Sequence, residues 1–302
     1  MSFPLTREFQ NSNRMANLKE IRNRITSIKS TMQITSAMKM VSAAKLKKAQ
    51  DAISAMRPYS SKLTELLQNL SATLDSDAGG VYSTQREVSK VLIVVVTSNR
   101  GLCGGFNSSI TKKVVSIVEE KYSTAEVDLF SIGKKGADVL SKNFNISATN
   151  NDVFDALTFD NVATIAEELM KLFAAGTYDK IEIVYNQFKN AATQIPQVEQ
   201  FLPIKPIEQE DATAVNSDYI FEPSKIEIVE ALIPKSLKNQ LYKAIRDSFA
   251  SEHGARMTAM HKATDNATEL RDELLLTYNK ARQAAITNEI LEIVGGAEAL
   301  NN

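Results

Sequence analysis

The stretch that decides the fold is ANLKEIRNRITSIKSTMQITSAMKMVSAAKLKKAQDAISAMR, residues 16–57. Its apolar side chains fall at Leu18, Ile21, Ile25, Ile28 and Met32. That alternation of three and four is the seam of a coiled coil. The seam then skips to Ile34 and resumes at Met38 and Val41, which reads as a stutter that locally unwinds a supercoil. Asn17 suits a helix N-cap, with Glu20 in the capping-box position. Pro58 marks a kink or an end, and Leu63, Leu66, Leu67 and Leu70 carry the stripe on to about residue 72. At 1.5 Å per residue the first stretch alone spans roughly 60 Å.

The other end of the chain repeats the pattern. Ser224 and Glu227 form a capping box, and Pro234 suits the first turn of a new helix. From Lys235 to Val294 there is no proline and a single glycine, Gly254, which allows roughly 90 Å of helix. Its seam runs Leu237, Leu241, Ile245, Phe249, then Met260, Ala263, Ala267, Leu270, Leu274, Tyr278, Ala281, Ala285. Small seam residues let two helices approach closely. Each seam needs a partner. Antiparallel packing of the two ends within one chain satisfies both, and a homodimeric coiled coil is the alternative.

Between the helices the period changes. SDAGG (76–80) is a turn, and KVLIVVVT (90–97) is a continuous β-branched run of the kind buried in a parallel sheet. A helix near 108–122, a strand at Val127–Ile132, short and amphipathic helices at 134–142 and 160–175, and strands at Lys180–Phe188 and Val198–Ile204 complete an α/β alternation. The expected fold is a central Rossmann-like α/β domain inserted between long N- and C-terminal helices that form an antiparallel coiled coil. Its divisions are residues 1–15, a disordered extension; 16–75, the N-terminal helix; 76–222, the globular domain; and 223–302, the C-terminal helix. An organellar presequence is the alternative for the first residues.

The 302 residues hold 35 basic and 36 acidic side chains, and 43% are hydrophobic, an ordinary core-forming composition. Glycine (11) and proline (7) are scarce, where average usage would give roughly 36 together, in keeping with long helices. The single cysteine, Cys103, excludes an internal disulfide and a cysteine-based zinc site. The neutral total hides a strong asymmetry. Residues 17–57 carry nine basic side chains against two acidic, a net +7, and residues 58–235 carry 16 against 24, a net −8. A basic rod beside an acidic domain, without aromatic interleaving, reads as a solvated helix face or as the footprint of an acidic protein partner, not of nucleic acid.

The best candidate for chemistry is the loop TSNRGLCGGFN (97–107), which leaves a buried strand and precedes a helix, the position of phosphate-binding loops. It lacks the Gly-Lys-Ser/Thr ending of a P-loop and the G-x-G-x-x-G spacing of a dinucleotide site. Gly101, Gly104 and Gly105 therefore read first as tight-turn residues. Cys103 has no histidine near it in sequence, and His253 and His261 show no zinc-ligand spacing. The residues point to a scaffolding or mechanical protein with no metal and no cofactor. A stand-alone coiled-coil adaptor and a nucleotide-binding enzyme using residues 101–105 are the alternatives.

Three segments together are similar to one family: residues 16–46, residues 97–107, and SEHGARMTAMHKATDNATELRDELLLTYNKARQAAITNEILEIVGGA (251–297). They resemble the gamma subunit of the F-type ATP synthase, in its bacterial form. The resemblance implies a non-catalytic rotor shaft, one copy per complex, coupling ion-driven rotation of the membrane c-ring to ATP synthesis or hydrolysis at the beta subunits. It implies the alpha and beta subunits of the catalytic hexamer, the epsilon subunit and the c-ring as partners. It also implies a peripheral position at the cytoplasmic face of the bacterial inner membrane, or the matrix side of the mitochondrial one. Carried over residue by residue, Met38, Lys39, Arg256 and Met257 face the beta lever, and Arg282, Gln283, Thr287 and Glu289 make polar contacts higher on the shaft. Ile290, Ile293, Val294 and Ala297 form an apolar tip, and Tyr219, Phe221 and Glu222 face the c-ring loops. Asn99 stands where the family usually has a charged residue.

Overall fold

The structure, a computed structural model, describes residues 6–71, 80–204 and 225–300. Helix α1 spans Thr6–Ser71 and helix α5 spans Lys225–Leu300. Between them lie β1 (Lys90–Val96), α2 (Phe106–Lys121), β2 (Glu126–Ile132), α3 (Lys134–Leu140), β3 (Asn145–Asn150), α4 (Phe159–Ala174), β4 (Lys180–Phe188) and β5 (Gln194–Leu202). The chain divides into two compact units. One joins the residues up to Val41 with those from Ala259, and the other is Ser42–Thr258.

The larger unit is built on a five-stranded sheet in the order β3-β2-β1-β4-β5. The first four strands are parallel and β5 returns antiparallel to β4. From Val91 to Val96 every residue of β1 is buried, because β1 is central and covered on both faces. Val91, Ile93 and Val95 pack with Ile110, Val114 and Ile117 of α2 and Leu140 of α3. Leu92, Val94 and Val96 meet Val162, Leu169 and Phe173 of α4 together with Leu237, Leu241 and Ile245 of α5. Helix α4 is started by Thr158, whose side chain accepts from the Asn161 amide at 3.4 Å.

The sheet differs from expectation in two places. Strand β3 was not foreseen. Its residues, NISATN, alternate exposed and half-buried on the sheet's edge, so no apolar run marks them. Strand β5 covers Gln194–Leu202 rather than 198–204, with Pro196 accommodated because β5 is also an edge strand.

In the smaller unit the two helices run antiparallel. Arg22 donates to the Tyr278 hydroxyl at 2.5 Å, and the Thr35 and Thr264 hydroxyls meet at 2.8 Å, so residue numbers rise on one helix as they fall on the other. Three details of the helix reading are corrected. Asn17 lies inside α1, which already runs from Thr6, and so does not stand at the helix start. Pro58 lies inside α1, so it does not end the helix, and Pro234 lies inside α5 rather than in the first turn of a new helix; each forfeits one backbone bond. The expected shift of the seam to Ile34 and Val41 is absent. The buried positions of α1 are Ile21, Ile25, Thr35, Ser42, Leu46, Ala49 and Ile53, with Ile28, Met32, Met38 and Lys39 half-buried among them. Ile34 and Val41 lie outside that set and are 59% and 58% exposed. On α5 Ala267, Arg271 and Leu274 are half-buried and Leu270 is exposed.

Candidate functional site

The Gly-rich loop 97–105 leaves the carboxyl end of β1 and is held by its own polar groups. The Ser98 amide donates to Asn107 Oδ1 at 3.0 Å, and Asn107 Nδ2 donates to Ser98 Oγ at 2.9 Å. Ser98 Oγ donates to the Arg100 carbonyl at 2.5 Å. Asn99 ties the loop to its neighbours: its Nδ2 donates to the Asn151 carbonyl at 2.7 Å, and its Oδ1 accepts from the Lys134 amide at 3.1 Å. An amide does both; a carboxylate could only accept. Leu102 and Gly104 both have positive φ, 61° and 57°, and Leu102 projects into solvent.

Cys103 is buried against Phe106 and Ala255. Burial raises its thiol above the ordinary range, the opposite of what a nucleophile needs. Arg256 is 7% exposed. One guanidinium nitrogen contacts Glu252 at 2.5 Å, and the other donates to the Arg100 and Gly101 carbonyls at 3.3 and 3.4 Å. Burial raises the Glu252 carboxyl while Arg256 pulls it down. His253 is driven down to about 3, by burial first and then by Arg256 and Lys45. Among the described residues no group of three or more His, Cys, Asp or Glu could hold a metal ion. The loop that resembled a phosphate cradle is thus filled by the chain's own arginine and cysteine.

The residues assigned to partner contacts fall in several settings. Met38 and Lys39 are half-buried on α1 in the smaller unit, while Arg256 is buried and Met257 half-buried in the larger one. Arg282, Gln283, Thr287 and Glu289 are exposed, with Thr287 Oγ1 donating to the Gln283 carbonyl at 2.9 Å. Ile290, Ile293, Val294 and Ala297 are exposed too, Ile293 by 67%. Exposed large apolar residues grouped at a helix end make that end a candidate contact surface. Tyr219, Phe221 and Glu222 lie outside the described residues. Ile34, Met40 and Val41, exposed and apolar on the outer side of α1, belong with the contact candidates; the seam position of Thr35 identifies them and a hydrophobicity pattern does not.

Two long terminal helices that pair antiparallel, a five-stranded α/β sheet between them in sequence, exposed apolar residues along both helices, and a Gly-rich loop after β1 tied down by the chain's own side chains describe a mechanical stalk subunit. The family model described as ATP synthase matches residues 17–300. The ATP synthase gamma chain of Flavobacterium psychrophilum is 73% identical over 286 residues, covering 95% of this chain and 99% of the relative. That of Geobacter sp. strain M21 is 46% identical over 95% of this chain. The central stalk and c-ring structure of the Tetrahymena thermophila mitochondrial ATP synthase contains a chain with TM-score 0.57 and 27% identity, covering 76% of this chain and 99% of that one. A chain of the Euglena gracilis mitochondrial enzyme shares the fold, with TM-score 0.68, over 94% of this chain and 95% of that one. The chain belongs to the ATP synthase gamma chain family. It is a non-catalytic subunit of the central stalk of the F-type ATP synthase.

Proposed function

We propose that this chain turns inside a ring of alpha and beta subunits, with its α/β domain seated on the epsilon subunit and the c-ring. The complex would then stand at the cytoplasmic face of a bacterial inner membrane. The observation that carries the reading is the two-stranded seam itself. Two unlike helices, one carrying a net +7 over residues 17–57, join through Arg22–Tyr278 and Thr35–Thr264. A rod of two unlike helices has no threefold axis. Three identical subunits around it meet three different surfaces, so the rod biases their open and closed states unequally. Each turn then drives every site through the full set of states. Regular heptads and small seam residues keep the rod stiff, which torque requires.

Met38 and Lys39 are the contact residues for an acidic lever on beta, with Ile34 and Val41 as the apolar contribution. Arg282, Gln283, Thr287 and Glu289 bind higher on the shaft, and Ile290, Ile293 and Val294 form the tip that bears against apolar walls. Tyr219, Phe221 and Glu222 are the proposed c-ring contacts. Reversing Lys39 to glutamate is expected to lower ATP-driven ion pumping roughly tenfold, the scale of one charge pair worth about 1.4 kcal/mol. Reversing Lys62, which lies outside the matched contact segment, should change it less than twofold. Pumping by inverted vesicles, normalised to hydrolysis and subunit content, measures both. Equal effects would sink the assignment.

A further inference from the structure

The sheet order places a reversal between β1 and β4. The chain steps outward from β1 to β2 to β3 with α2 and α3 on one face, then crosses back to β4 with α4 on the other. In open α/β sheets the crevice outside the carboxyl ends of the strands at such a reversal is where ligands bind. Here a stretch of α5 fills it. On one side Ser251 Oγ donates to the Asn186 carbonyl at 3.0 Å, at the end of β4. Thr258 Oγ1 lies 3.2 Å from the Ala191 carbonyl, in the turn that follows, and shares its one proton between that acceptor and the Gly254 carbonyl at 3.1 Å. Gly254 sits so close that a Cβ there would lie 3.1 Å from the Ala191 Cα. On the other side Arg256 holds the Arg100 and Gly101 carbonyls of the loop after β1, and Ala255 packs on Cys103. Asn186 joins the two sides, its Nδ2 donating to the Phe106 carbonyl at 3.0 Å.

At 3.6 residues per turn, Ser251, Gly254 and Thr258 share one side of the helix, Glu252 lies roughly a third of the way round it, and Arg256 lies about 150° away, close to the opposite side. Apolar packing of a helix on a sheet resists separation but is non-directional, so it resists rolling weakly. Directional bonds on two sides of the axis do resist rolling. We propose that Ser251–Thr258 is a two-sided clamp, with Arg256 its positioning residue, that fixes the rotation of α5 about its own axis against the sheet and passes turning force from the α/β domain into the helix. Arg256 thereby acts through the loop it holds, and Glu252 keeps its guanidinium aimed. The force-passing half of the proposal rests on the stalk reading above; the clamp itself does not.

The single cysteine reports on the clamp, because Cys103 is covered by Ala255 and by the loop Arg256 holds. In the purified complex, maleimide labelling of Cys103, followed on its own peptide by mass spectrometry, is expected to be about tenfold faster in Arg256→Gln than in the parent. The number of ions pumped per ATP hydrolysed is expected to fall at least twofold. Arg256→Lys keeps the charge beside Glu252 and one carbonyl bond, and should return both readings to within about threefold and 1.5-fold of the parent. Gly254→Val pushes the helix from the opposite side and should reproduce the Arg256→Gln result, which decides the matter should Arg256→Gln fail to assemble. Unchanged labelling in both variants would overturn the clamp. Faster labelling with an unchanged pumping ratio would overturn its role in passing force. A parent complex that does not pump at all would count against the stalk reading, while the labelling arm would still report on the clamp.

Discussion

Alanine at Gly133 is expected to destabilise the protein by about 3–5 kcal/mol, the sum of a strained backbone and an overpacked contact. Gly133 follows β2 with φ 100° and ψ 140°, a conformation that side-chain-bearing residues rarely adopt. A Cβ there would lie 2.1 Å from the Thr97 carbonyl oxygen and 2.7 Å from its carbon. Both are backbone atoms, so no rotamer change relieves the clash. Nor can Thr97 easily move. Its amide donates to the Ile132 carbonyl at 2.8 Å, and its hydroxyl accepts from the Gly136 amide at 2.8 Å and donates to the Gly133 carbonyl at 3.2 Å. The Gly133 amide in turn donates to the Asn150 carbonyl at 3.0 Å, so three strand ends share this junction. Gly101→Ala is the matched control, since nothing lies within 4 Å of the position a Cβ would take. Urea unfolding of the full chain measures both. A Gly133→Ala variant within about 1 kcal/mol of the parent would show that the junction yields far more than its hydrogen bonds suggest.

Much of the architecture was legible because strongly periodic or continuously apolar segments leave few choices. KVLIVVV could only be a strand buried on both faces, and Lys180–Phe188 was read to the residue. What was not legible was fixed by partners elsewhere in the chain. Thr35 takes a seam position because Thr264 stands across from it with a hydroxyl to share, and Ser42 is buried likewise. A reading that follows hydrophobicity picks Ile34 and Val41 instead and infers a stutter. Arg256 shows the same limit at the site. The motif marks it as important, but its burial follows from loop carbonyls some 155 positions earlier in the chain. Strand β3 is polar because an edge strand with one open side needs no apolar run.

The second large effect concerns acid. His253 is 5% exposed, its Nε2 has no hydrogen-bond partner, and its ring stands edge-on to Phe249 with centroids 4.5 Å apart. Its Nδ1 lies 3.5 Å from an Arg256 nitrogen, so the neutral ring can accept there and a protonated one would face a cation. Burial, then Arg256 and Lys45, lower its pKa from 6.5 to about 3. The unfolded chain therefore binds a proton below about pH 6.5 that the folded chain refuses until about pH 3. Stability falls through that window by about 1.4 kcal/mol per pH unit, or about 2 kcal/mol between pH 7 and pH 5. Glu252 works in the opposite sense, since its raised pKa lets the folded state take up a proton before the unfolded state does. Asp128, Asp179 and Glu182 have lowered pKa values, and their stabilising contribution is lost only below the ordinary carboxylate range, roughly pH 4. A difference between two proteins separates these groups. His253→Gln keeps a polar side chain but cannot titrate. Between pH 7 and pH 5 it should lose about 2 kcal/mol less stability than the parent in urea unfolding. Parallel pH curves for the two would mean that the imidazole is hydrated or finds an acceptor when protonated, and that acid destabilisation begins with the carboxylates instead.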